Sequence, residues 1–338
     1  TVAPDNMPSL KDKVKLGFRI LKTKYKYGNK LRHIMMLDLH GQSKYEFEIP
    51  RKWFSPVKEV GSFLGKIKSD LANELGLPSN IDVYLGCHDQ CSATLGAGVL
   101  TPGSLMIGEG STESINLMVD ETVFKYSSKL MESKTCIEPF VEAGLFMLQA
   151  SLLTYGNSIR WYIKTFEKGK DIFRNLEESS QEETNLVFIP YLSKVNIMEP
   201  DVEIPGAFIG ITLDTEKWEF YRAIIQGLNF ESKINLDNLQ GIGIDIKHIR
   251  AAGGITNSHL FTQLKADTLG KDIYILENFE SGIMGLAIIC AVASGDYHNY
   301  KDAIDKFVNI KKAYHPEHEY DELFDQYVDI RKRLRKKV

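Results

Sequence analysis

Apolar positions along the chain recur with two different periods, and the changes of period mark out its elements. At residues 62–77 Phe63, Leu64, Ile67, Leu71 and Leu75 repeat at helical spacing up to Gly76, which predicts a helix stopped by a glycine. Short apolar runs predict strands at 33–38, 81–85 and 104–107, and a strand pair at 114–119 and 122–126. A helix-like stretch is expected over 10–24 and a long helix over 146–166, containing Gly156 and Trp161. Residues 216–234 predict an amphipathic helix with Phe220, Ala223, Ile224, Gly227, Phe230 and Glu231 on its inner side. Its Arg222 and Glu231 read as ligands or, with more weight, as an ion pair or solvated face. Strands at 186–192, 246–252 and 271–276 alternate with helices at 259–269, 285–294 and 320–335. That alternation predicts an α/β architecture.

Two stretches concentrate candidate chemistry. The first, VYLGCHDQCSATLGAGVLTPGSLMIGEGSTESI, runs from Val83 to Ile115. Its first strand ends in Cys87-His88-Asp89-Gln90, and a helix of small residues follows, a pattern expected where backbone and ligand come close. Its second strand ends in Gly108-Glu109-Gly110-Ser111-Thr112-Glu113, a turn able to offer N–H and O–H donors to an anion. A carboxylate near a donor-rich turn is the layout of phosphoryl transfer, with Asp89 accepting the acceptor hydroxyl's proton. The competing reading is that Asp89 caps the helix beginning near Gln90. In the second stretch, Gly253-Gly254-Ile255-Thr256-Asn257-Ser258 links the strand at 246–252 to the helix at 259–269. That arrangement holds nucleotides through free N–H groups and the helix dipole, with tight packing of the glycines as the alternative.

Composition narrows the class. With 338 residues, 43% apolar and 25% charged, the chain can bury one large core or two ordinary ones. No apolar run is long enough for a membrane helix, the N-terminus lacks the apolar centre of a secretory signal, and a cytoplasmic protein is expected. A net charge of -4 gives no reason to expect nucleic acid or an anionic membrane as partner. The basic runs at 11–32 and 331–337 read as solvated faces, the second complementing a helix C-terminus. Cys87, Cys91, Cys136 and Cys290 read as buried free thiols, and a zinc site at Cys87, His88 and Cys91 lacks a second ligand cluster. There is no G-x-x-x-x-G-K, which excludes P-loop kinases.

LGCHDQCSATLGAG, GEGSTE, AAGGITNSHLFTQLKADTLG and ESGIMGLAIICAVASGDY occur in the order and at the spacing of the FGGY carbohydrate kinases, and the chain resembles their xylulokinase-like members over nearly its whole length. The resemblance implies an actin-like ATPase (ribonuclease H-like) fold, with residues 1–98 as the remnant of a front lobe and 99–338 as a complete rear lobe. It implies ATP- and Mg2+-dependent phosphorylation of a sugar or polyol, xylulose-like first, with Asp89 as catalytic base and His88 and Gln90 at the substrate. By the same resemblance Gly110, Ser111 and Thr112 hold the ATP phosphates, and Gly253, Gly254 and Asn257 the adenosine. Ile255 stands where the family commonly has a third small residue. The family's front-lobe Asp-x-Gly-Thr hairpin is not found. Asp38-Leu39-His40-Gly41 matches it only superficially, so these residues alone are expected to bind ATP weakly and not to turn over sugar. The readings assign no metal-ligand residues, leave a homodimer open, and keep a catalytically inactive nucleotide-binding or interaction module as the alternative.

Overall fold

The computed structural model describes residues 57–133, 135–167, 176–178, 182–193, 204–278 and 280–335, together with the backbone strands β1 (Arg19–Lys26) and β2 (Lys30–Met36). These two strands pair antiparallel, with a bulge between Ile20 and Lys22. The expected helix over 10–24 is therefore a strand from Arg19 onward. Ile20, Thr23 and Tyr25 suit pleated backbone, and a paired neighbour completes the hydrogen bonds of β1. The rest of that stretch, and residues 38–41, lie outside the described residues. The chain packs as two units, 1–58 and 59–338.

Strand β3 (Phe63–Lys66) precedes helix α1 (Ser69–Leu75), so the expected helix over 62–77 is helical only in its second half. Phe63 pairs with Tyr84 and Lys66 with Asp82 of strand β4 (Asp82–Tyr84), and this cross-strand ladder overrides the helical spacing. Helix α2 (Asp89–Gly96) follows at once.

Strands β5 (Ser104–Glu109) and β6 (Glu113–Asp120) form a hairpin in which alternate residues serve opposite layers. Leu105, Ile107, Ile115 and Leu117 enter one buried core, whereas Met106 and Met118 enter another. The partner expected for β6 at 122–126 is a 3-10 turn (Glu121–Tyr126), leading into helix α3 (Ser127–Ser133). Its place is taken by β8 (Leu145–Leu152), which lies between β6 and the edge strand β7 (Cys136–Pro139). The helix expected over 146–166 thus divides into β8 and helix α4 (Gly156–Phe166). An apolar run such as LFMLQASL fits either state, and the open edge of β6 decided for strand.

Two short strands, β9 (Val187–Ile189) and β10 (Ala207–Ile209), pair beside helix α5 (Lys217–Gly241). Strand β11 (His248–Ala252) runs parallel to β5, and after helix α6 (His259–Leu269) strand β12 (Ile273–Leu276) runs parallel to β11. Helices α7 (Ser281–Ala293) and α8 (Tyr300–Phe307), the antiparallel strand β13 (Ile310–Tyr314) and helix α9 (Asp321–Leu334) complete the unit. The sheet order is β13-β12-β11-β5-β6-β8-β7. Core residues of α5 and α6, Leu236, Leu239, Ala266 and Leu269, cover one face, and those of α2, α7 and α8, Leu95, Ile288 and Ile304, cover the other.

The small residues of α2 serve helix packing. A Cβ on Gly96 would lie 1.8 Å from the Ser281 carbonyl oxygen, and one on Gly285 would lie 1.9 Å from that of Ser92. Backbone meets backbone between α2 and α7, which corrects the reading of these positions as space for a ligand. Arg222 and Glu231 are both buried. Glu231 accepts from Arg331 Nε at 2.8 Å and Tyr327 at 2.7 Å, while Arg222 donates to Tyr320 at 3.0 Å. Arg331 thus leaves the solvated face expected of the C-terminal basic run, because a buried carboxylate needs a cation. All four cysteines are free, but Cys136 and Cys290 are exposed, contrary to expectation.

Candidate active site

The parallel pairing of β5 with β11 aligns Gly108 with Ala252, so the turns that follow the two strands leave the sheet side by side. They touch. Gly253 has φ +125°, and a Cβ there would lie 2.2 Å from the carbonyl oxygen of Glu109. Gly156, the first residue of α4, is as close: its Cβ would stand 2.4 Å from the Gly110 carbonyl oxygen and 3.1 Å from Ile255 Cδ1. Three chain segments, 109–112, 155–157 and 253–257, therefore meet at one corner, each fitted to the next through a residue without a side chain.

What this corner shows to solvent differs from what it uses for packing. Gly110, Ser111 and Thr112 are exposed, Gly110 N–H donates to the Thr112 carbonyl at 3.0 Å, and Arg160 Nη2 donates to Ser111 Oγ at 3.3 Å. Gly254 is exposed too, its φ is not in the left-handed range, and a Cβ there would meet nothing within 4 Å. Asn257 is also exposed, its amide donating to the Gly254 carbonyl at 3.2 Å. Ile255 turns inward against the core around Tyr155 and Phe261, so its bulk does not fill the open side of the turn. Ser258 caps α6 by accepting from Phe261 N–H at 3.1 Å.

Beneath the corner lies a charged cluster that no local sequence pattern announces. The alternation that sends Leu105 and Ile107 toward α6 also sends Glu109 there, and Glu113 stands directly opposite it across the hairpin. Lys265 of α6 answers both carboxylates. Its ammonium donates to Glu109 Oε1 at 2.5 Å, to Glu113 Oε1 at shorter range, and to Tyr155 OH at 2.6 Å. Ser232 of α5 donates to Glu113 at 2.8 Å. All of these side chains are fully or almost fully buried, and Glu109 Oε2 has no hydrogen-bond partner among the described residues. Burial raises the Glu109 carboxyl above the ordinary range despite the ammonium beside it. Burial pulls the Lys265 ammonium down, but the two carboxylates outweigh it and hold it above its usual value.

Asp89, His88 and Gln90 assemble elsewhere, at the N-terminus of α2. Asp89 is the first residue of the helix, not its cap, and no side-chain hydrogen bond caps that end. Its side chain is 84% exposed, with Oδ1 3.1 Å from His88 Nε2, and the other imidazole nitrogen lies 3.1 Å from Glu138 Oε1. Gln90 Oε1 accepts from Asn116 Nδ2 at 3.1 Å, and Asn116 Oδ1 accepts from Gln149 Nε2 at 3.4 Å. Two strands of the sheet thus hold the residue after Asp89 while Asp89 itself points into the open.

The C-terminal domain of the FGGY family of carbohydrate kinases matches residues 122–294, just over half of the chain. The chain belongs to the FGGY family of carbohydrate kinases. This FGGY chain is 28% identical over 270 residues to a xylulose kinase of Staphylococcus epidermidis, covering 79% of itself and 53% of that protein. It is 25% identical over 271 residues to a ribulokinase of Halalkalibacterium halodurans, covering 75% and 47%. The xylulose kinase from Rhodospirillum rubrum superimposes with a TM-score of 0.69 at 22% identity, over 82% of this chain and 57% of that one. Plasmodium falciparum glycerol kinase with ADP gives 0.69 at 17% identity, over 83% and 56%. The fold of the FGGY chain is the actin-like ATPase fold these sugar kinases have. It spans about half the length of the curated relatives it matches.

Proposed function

We propose that the protein is an ATP-dependent carbohydrate kinase that transfers the γ-phosphoryl group to a hydroxyl of a sugar or polyol, with a xylulose-like ketose as the first candidate acceptor. One observation carries this reading. The corner where 109–112, 155–157 and 253–257 meet is closed by packing on its inner side, yet leaves Ser111, Thr112 and an unobstructed Gly254 exposed on its outer side. Residues 99–338 act as the rear, nucleotide-holding lobe. Gly110, Ser111 and Thr112 face the phosphates, and Gly253, Gly254 and Asn257 receive the adenosine. Family membership and the kinases named above support both assignments.

Asp89 acts as general base. With Oδ1 beside His88, its Oδ2 takes the proton from the attacking hydroxyl while His88 and Gln90 orient the acceptor. ATP supplies the transferred phosphoryl group. The residues of the phosphate turn contain no carboxylate cage for Mg2+, which commonly keeps water and substrate phosphates as ligands, and no step is assigned to it. Among the described residues no helix is long and apolar enough to cross a membrane.

A coupled assay of the full-length gene product with xylulose, ribulose, gluconate and glycerol tests the reading. Turnover on a ketose, reduced by roughly 100-fold to 10,000-fold in Asp89→Asn with ATP affinity kept, is the expected result. Unchanged turnover in the variant would remove Asp89 from the chemistry. ATP binding with no turnover on any acceptor would favour the inactive nucleotide-binding module. Residues 1–338 alone are expected to bind ATP weakly without measurable turnover, since positioning between two lobes is worth several of the roughly 7 to 11 kcal/mol that orientation can supply.

A further inference from the structure

Fifty residues after His88, strand β7 brings a third donor to the start of α2. His88 and Cys91 stand three apart at the helix N-terminus and so share one side of it. Glu138 pairs across β7 and β8 with Met147, and Met147 belongs to the core that α2 covers. Alternation along the strand therefore turns the Glu138 carboxylate toward α2. One imidazole nitrogen, the Cys91 Sγ and one carboxylate oxygen of Glu138 lie within 4.8 Å of one another.

We propose that His88, Cys91 and Glu138 form a binding site for a borderline-soft divalent cation of the zinc class, with the fourth coordination position open to solvent. Nitrogen, sulfur and carboxylate oxygen together suit Zn2+ and Co2+, whereas Mg2+ and Ca2+ demand oxygen ligands. Around a tetrahedral zinc with bonds of about 2.0 to 2.3 Å, the donor atoms stand roughly 3.3 to 3.8 Å apart, so closing the site needs side-chain rotations only. His88 and Glu138 are both part-exposed and provide the entry path, while Cys91 is buried and provides the floor. The Cys91 thiol donates weakly to the Pro139 carbonyl at 3.9 Å.

The competing explanation is a plain hydrogen bond between His88 and Glu138 over a buried thiol. Titration of the 338-residue chain with Co2+, followed by Zn2+ competition and calorimetry, separates the two, and it rests on no reading of the kinase activity. The expected result is one Co2+ per chain with a near-ultraviolet sulfur-to-metal charge-transfer band, displaced by Zn2+ and untouched by excess Mg2+. Cys91→Ser should abolish the band. Glu138→Gln, isosteric and part-exposed, should keep the fold by circular dichroism and weaken Zn2+ binding at least tenfold, as should His88→Ala. Cys290→Ser, exposed and outside the cluster, should change neither reading. A band that survives Cys91→Ser, or a parent chain that binds Zn2+ no more tightly than Glu138→Gln, overturns the site.

Discussion

The corner at 109–112, 155–157 and 253–257 and the corner at Asp89 are built in opposite ways. At the first, Gly253 rests on the Glu109 carbonyl and Gly156 on that of Gly110, and Lys265 joins the two strand ends from below. Its shape is therefore fixed by backbone contact and buried charge within one packing unit. At the second, Asp89 stands at a helix N-terminus with most of its side chain in water, steadied through neighbours: His88 by Glu138, and Gln90 by Asn116. The contrast fits the proposed roles, a nucleotide turn preorganised by the unit itself and an acid left open to the acceptor.

The largest test of this contrast removes the buried ammonium. Lys265→Ala leaves the carboxylates of Glu109 and Glu113 facing each other without a cation, and should cost about 3 to 5 kcal/mol of stability. Urea unfolding measures it. Asp89→Asn, by contrast, should stay within about 0.5 kcal/mol of the parent, because the group is exposed and makes no capping bond. Equal losses in the two variants would end the distinction between a braced corner and an open one.

A smaller effect is expected from the neighbouring glycines, which sharpen the comparison within the corner. Gly253→Ala meets both a left-handed backbone and the Glu109 carbonyl, and should destabilise by about 1 to 3 kcal/mol. Gly254→Val has room, so its stability should change by less than about 0.5 kcal/mol while ATP affinity falls at least tenfold. Calorimetry on folded Gly254→Val that showed unchanged ATP binding would defeat the assignment of this turn to the nucleotide.

The smallest expected effect is at Glu109. One ammonium serves two carboxylates, and burial holds the Glu109 carboxyl above its ordinary value. A carboxyl raised on folding contributes stability that is fully present below its ordinary value and is lost as pH rises through the raised one. Glu109→Gln lacks that titration. The variant should gain on the parent as pH rises through this window, with a net difference of about 1 kcal/mol or less at neutral pH. Parallel stability curves for the two proteins across that window would show that the carboxyl is not raised.

Much of the rear of the molecule could be read from order along the chain alone. The helix expected at 259–269 runs from His259 to Leu269 as read, because Ser258 and Gly270 mark its ends chemically. The strands expected at 104–107 and 246–252 were legible as apolar runs before turns and are found at Ser104–Glu109 and His248–Ala252. Local sequence carries such features because caps, turns and strand alternation depend on residues a few positions apart.

Tertiary structure decided what depends on partners far along the chain. LFMLQASL became a strand because β6 offered it an edge, and residues 63–66 became one because β4 did. Arg331 left the solvent for Glu231 exactly one hundred positions earlier, Lys265 found two carboxylates over 150 positions away, and Glu138 reached His88 across fifty. Whether a charged side chain is solvated or buried depends on whether a counter-charge waits at its place in the fold. Apolar periodicity along a single strand or helix carries no record of that partner, so the ionic floor beneath the Gly253 corner and the donor cluster beside Asp89 exist only once the sheet has brought its strands together.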